Sequence, residues 1–196
     1  MYLAKKPHHG FTVIELLITV AVLATLSALG IPTMNNAINN AKVRSTAEAL
    51  QNGLRTAQAE AIRRSRQTAF VLTNDTPAEG AAPSDDGTYW YVQVLPAVPG
   101  EVVIDPYVQG GQFGARTAGT TIRGPAVICF NSIGRAVANN ATGLPGAASC
   151  AAPASRTTFD VTKTGADRTL RLQVSAAGKI RMCDTARLLS AAPDGC

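Results

Sequence analysis

Phe11-Thr12-Val13-Ile14-Glu15-Leu16-Leu17-Ile18-Thr19-Val20-Ala21-Val22-Leu23-Ala24-Thr25-Leu26-Ser27-Ala28-Leu29-Gly30-Ile31 is almost wholly apolar, and nothing later in the 196-residue chain approaches it. As a helix this stretch would extend roughly 32 Å, about the thickness of a bilayer's hydrocarbon core. A cleaved secretory signal would end in a small-residue cut site, but Ile31-Pro32-Thr33-Met34-Asn35-Asn36 follows instead. The apolar segment is therefore expected to be retained. The preceding MYLAKKPHHG is short, polar and basic, and Lys5 and Lys6 are expected to hold that end on the cytoplasmic side.

Beyond Pro32 the helical pattern resumes. Val43, Ala47, Leu50, Leu54, Ala57 and Ala61 step by three or four, which places one apolar stripe along a helix running to about Arg66. A stem of about 55 residues would be roughly 80 Å long. Pro32 removes a backbone donor and crowds the preceding turn, and with Gly30 beside it a kink is expected there. From Gln67 the pattern changes to short strands: Thr68–Thr73, Thr88–Leu95, Glu101–Ile104, Ala126–Phe130, Thr157–Thr162, Arg168–Val174 and Lys179–Cys183. Ala126–Phe130 is continuously apolar, as a strand covered on both faces would be. Ser175-Ala176-Ala177-Gly178 reads as a hairpin turn, and residues 74–87 and 134–155 read as loops. The expected organisation is α+β. Residues 1–10 form a leader, 11–31 a transmembrane helix, 32–66 its amphipathic continuation and 67–196 a β-rich exported head.

Cys129, Cys150, Cys183 and Cys196 all lie late in the chain. In an exported domain they read as two disulfides, although four cysteines allow three pairings. The local pairing, Cys129–Cys150 with Cys183–Cys196, closes two short loops, each worth about 3 kcal/mol on a loop-entropy argument. Both histidines, His8 and His9, fall in the leader, so its removal leaves none. That disfavours histidine-dependent catalytic dyads and the usual zinc sites. Asp75, Asp85 and Asp86 lack a calcium-loop spacing. No cofactor and no enzymatic activity are expected.

Charge is segregated. Residues 67–115 carry six acids and no Lys or Arg, whereas residues 116–196 carry ten Lys/Arg against four acids. Two heads could pack acidic half to basic half.

Gly10-Phe11-Thr12-Val13-Ile14-Glu15-Leu16-Leu17 resembles the type IV pilin signature: a glycine before the cut, a phenylalanine after it and a glutamate fifth in the mature chain. The resemblance implies cleavage after Gly10 by a prepilin peptidase, N-methylation of Phe11, and packing of such helices into a filament core with other pilins. Glu15 also has a physical role, because a carboxylate in an apolar segment costs up to a few kcal/mol unless paired. The new amine on a neighbour's Phe11 is a suitable partner. Gln58–Arg66, Val127–Arg135 and Ser175–Cys183 resemble the GspH/FimT/FimU group of minor pilins and H-type pseudopilins, whose fold is a long N-terminal helix packed on antiparallel sheets. The leading expectation is a minor pilin that primes or caps a type IV pilus; the alternatives are the H-type pseudopilin of type II secretion and a DNA-binding pilin. For the last, Gly178-Lys179-Ile180-Arg181 is similar to the basic G-R-x-R signature of some DNA-uptake pilins, which implies phosphate contacts from Lys179, Arg181 and Arg171. The plainer reading, a solvated face, is weighted above it.

Overall fold

Thr12 starts the helix: it is extended at φ −83° and ψ 152°, and its hydroxyl accepts the Glu15 N–H at 3.3 Å. This satisfies one of the orphan donors of the first turn. The resulting helix, α1 (Val13–Arg64), continues without interruption through Pro32. It ends where Ser65 turns left-handed at φ 52°, with Arg63 and Arg64 in the last turn favourably placed against the helix dipole. The computed structural model describes residues 11–113, 119–151 and 155–196, less the side chains of residues 29–33. The leader with Gly10, and the ring of Pro32 on which the kink depends, lie outside the described residues. Among the described residues, no helix is long and apolar enough to cross a membrane.

The two halves of α1 have different surroundings. Every described side chain from Phe11 to Ala28 is exposed, and none before Val43 is buried. From there Val43, Ala47, Leu50, Leu54, Ala57 and Ala61 are all fully buried. Gly53 lies in the same seam. A Cβ there would stand 2.7 Å from the Phe70 ring and 3.1 Å from Trp90, so glycine's cost in a helix, about 1 kcal/mol, brings the sheet close.

The head is two antiparallel sheets under this seam. The first has the order β3-β2-β1-β5-β6, from β1 (Thr68–Thr73), β2 (Tyr89–Val94), β3 (Tyr107–Gln112), β5 (Val127–Phe130) and β6 (Ala136–Val137). The second has the order β4-β7-β8-β9, from β4 (Thr120–Arg123), β7 (Arg156–Lys163), β8 (Leu170–Ser175) and β9 (Ile180–Asp184). Phe70 joins them, stacked on Trp90 at 5.8 Å and edge-on to Phe159 at 6.5 Å. Ile122, Phe159, Val161, Leu172 and Val174 complete the core from the second sheet.

The first sheet is covered on both faces. Behind it, Val71, Tyr91, Val127 and Cys129 pack against Ala81, Leu144 and Cys150, which arrive from loops. The Cys129–Cys150 disulfide fastens one of those loops, and Cys183–Cys196 fastens the C-terminal segment beside β9.

Two expectations need correction. Glu101–Ile104 is not a strand. Glu101 instead accepts the Ala97 N–H and an Arg66 N–H, at 2.6 and 2.7 Å, and so fixes a loop. The third strand lies further on, at β3, whose Tyr-Val-Gln-Gly-Gly-Gln composition gives little strand signal. β8 begins at Leu170, so Arg168 falls in the preceding turn.

Candidate assembly surfaces

Glu15 is the only charged residue between Phe11 and Ala41, and it lies in the first turn of α1. The polar side chains beside it are locally satisfied: Thr19 and Thr25 donate to the Leu16 and Val22 carbonyls, each at 2.8 Å. The exposed half of α1 is thus an apolar rod with one carboxylate near its tip. Phe11 stands immediately before the cap, exposed.

In the head, three stretches distant in sequence meet at one side chain. Gln58 Nε2 donates to the Gly134 carbonyl at 2.7 Å and to the Gly178 carbonyl at 2.8 Å. Gly178 is buried at φ +86°, and a Cβ there would lie 2.0 Å from the Gly134 oxygen. Only glycine allows the β8–β9 turn to approach the β5–β6 turn this closely. These lie in the segments Gln58–Arg66, Val127–Arg135 and Ser175–Cys183, which together lock the stem to both sheets.

The structure does not leave the predicted Arg171, Lys179 and Arg181 constellation free. Arg171 donates two hydrogen bonds to Asp160, at 2.6 and 2.9 Å, and that partner raises its pKa. Arg181 donates to the Pro193 and Gly195 carbonyls of the C-terminal segment, at 3.1 and 2.6 Å. Lys179 alone of the three is exposed with no side-chain partner among the described residues. Sequence reasoning passed over Arg55 and Arg135. Arg55 lies one turn before Gln58 and Arg135 follows Gly134, and like Lys179 both are exposed and make no ion pair among the described residues. Their signal was adjacency to the family-like segments rather than to one another.

On the acidic side, Asp75 and Asp86 are held within their own loop. Asp75 accepts the Ala82 N–H at 3.2 Å. Asp86 accepts from Ser84 and Asn74, and those hydrogen bonds lower its pKa. Glu101 is likewise lowered, first by its hydrogen bond from Arg66.

An exposed apolar half-helix, continued as a buried seam over two antiparallel sheets, defines a type IV pilin-like protein. The chain belongs to the GspH family: the model for Type II transport protein GspH matches residues 46–178, and the prokaryotic N-terminal methylation motif matches residues 5–31. Among solved structures, the type IV minor pilin FimU of Pseudomonas aeruginosa is similar at 21% identity and a TM-score of 0.52. That match covers 74% of this chain and 90% of FimU, and it bears on the fold. The minor pseudopilin EpsH from the Type 2 Secretion System of Vibrio cholerae matches at 14% identity and a TM-score of 0.44, over 73% of this chain and 97% of EpsH. No curated protein sequence matches.

Proposed function

We propose that this chain is a minor subunit that primes or caps a type IV pilus and assembles through the apolar half of α1. The observation that carries the reading is the division of one helix into an exposed apolar rod and a stem seated in the head. Cleavage after Gly10 by a prepilin peptidase frees an amine on Phe11, which is then N-methylated. Residues 11–31 anchor the subunit in the inner membrane, 32–66 continue the stem, and 67–196 stand in the periplasm. Glu15, costly in the bilayer, pairs with the amine of a neighbouring pilin and draws the incoming rod into register. A kink at Pro32 lets the rod and the stem take different directions. The work is docking rather than catalysis.

A second reading, the H-type pseudopilin of a type II secretion filament, is favoured by the family description. The hairpin gives little support to a nucleic-acid receptor, since Arg171 and Arg181 are already engaged. A deletion strain separates the readings. Loss of surface pili, restored by the wild-type gene, supports the first. Intact pili with loss of exoprotein secretion would replace it by the second.

A further inference from the structure

Gln93 is only 7% exposed, and its side-chain Oε1 is buried with no hydrogen-bond partner among the described residues. A buried acceptor left unpaired destabilises the head unless something else supplies the donor. The local structure explains why none arrives. Its cross-strand neighbour on β1 is Ala69, which brings no polar side chain. On the other side the β2–β3 register slips: Val92 faces Gln109 and Gln93 faces Tyr107, so Val108 forms a bulge. Bulges of this kind interrupt the ladder and redirect side chains.

Gln93 lines a cavity of about 310 Å³ at the end of the head where α1 stops and β2 runs out. Three loops wall it. Glu79 comes from the β1–β2 connection, Val102 and Pro106 from the β2–β3 connection, and Thr142 from the loop fastened by Cys129–Cys150. The β2–β3 wall is held in shape: Glu101 ties it to Arg66, and Val94 donates to the Pro106 carbonyl at 2.8 Å. Among the described residues, no Lys or Arg lines the cavity, whereas two glutamates do. Glu101 is occupied by Arg66 and the Ala97 N–H. Glu79 is exposed and makes no side-chain hydrogen bond or ion pair among the described residues.

An unmade acceptor, an open carboxylate and aliphatic walls match a long side chain that ends in cationic N–H donors. Glutamine's terminal torsion is soft, so an entering donor can draw the oxygen round to face it. Val102 and, two residues on, Ile104 are 87% and 86% exposed. A free amine would leave these aliphatic groups in water, whereas a protein surface covers them.

We infer that this cavity is a socket for a lysine or arginine side chain presented by a protein other than this chain. That the partner is a neighbouring, non-identical subunit rests on the filament-subunit reading, which the socket deepens.

The head is tested as residues 36–196, which keep every described buried side chain, since the core begins at Val43. Nuclear magnetic resonance follows the backbone and glutamine side-chain amides while lysine, arginine or norleucine, each blocked at both ends, is added. The two cationic probes produce saturable shifts at Gln93, Val102 and Thr142. Norleucine, with a similar stem and no charge, produces none. Gln93→Met keeps the length and removes the acceptor: the cationic probes bind roughly tenfold or more weakly, while the urea midpoint stays level or rises. Glu79→Gln also weakens binding and reduces its dependence on salt. No saturable shift with either cationic probe, equal binding of norleucine, or unchanged binding in Gln93→Met overturns the inference. So does a lower urea midpoint in that variant, which would mean that the amide is satisfied within the head. In the full chain in native membranes, a photo-reactive residue at Ile104 cross-links a second, different protein. Gln93→Met abolishes that product, as does neutralising the lysine or arginine beside the cross-linked site in the partner. A cross-link to this chain alone, or one indifferent to Gln93→Met, overturns the partner assignment. A chain that enters filaments while its head ignores the cationic probes refutes the socket and leaves the subunit reading standing. A head that binds them in a chain absent from every filament refutes the subunit reading itself.

Discussion

Gly178 concentrates the demands of the fold on one residue. It needs both the left-handed backbone and the empty space where a Cβ would meet the Gly134 oxygen. Gly178→Ala is expected to destabilise the head by roughly 2 kcal/mol or more, read as a lower urea midpoint at unchanged slope. Tyr91 gives a second test at this scale. Its ring is fully buried and its hydroxyl donates to the Ala81 carbonyl at 2.8 Å. Burial pushes its pKa up to about 12. The folded state thus keeps a proton that the unfolded chain releases near pH 10, so this contribution is intact below pH ~10 and is lost as pH rises toward 12. Thermal melts should fall over that window, and Tyr91→Phe should flatten the fall while costing about 1 kcal/mol at neutral pH. An unchanged alkaline slope in the variant would contradict the assignment. At this scale the sequence was only partly legible. Arg171 and Arg181 read as a free basic face because their partners, Asp160 and the carbonyls of Pro193 and Gly195, are supplied by other segments.

At the scale of elements, α1 was the most legible part of the chain. Its stripe from Val43 to Ala61 is the seam that packs on the sheets, because a period near 3.6 maps directly onto one face. Leu54→Ala should therefore cost about 3 kcal/mol, whereas Leu23→Ala in the exposed rod should leave the head's unfolding unchanged. Equal effects in calorimetry would mean that the two halves of the helix are not distinct. The strands were legible where both faces are covered, as in β1 and β5, since burial demands apolar residues throughout. They were not legible where the sheet thins. β3 carries two glycines at an edge, and β6 pairs through only two residues. Glu101–Ile104 misled because Val102 and Ile104 supply the strand composition of a buried segment while standing in solvent.

For the whole molecule, one helix has two solvents. Its second half is buried by its own head, and the described side chains of its first half from Phe11 to Ala28 are all exposed, with Glu15 as the one charge among them; on the proposed reading, lipid and other helices cover that half. An apolar rod of this kind has no stable place in water, so the account ties location, processing and assembly together. Mass spectrometry of the chain extracted from native membranes and from sheared filaments tests that link most directly. The account predicts the same N-terminus in both fractions, an N-methylated Phe11 followed by the intact apolar segment. A freely soluble native protein cut beyond Ile31 would contradict it.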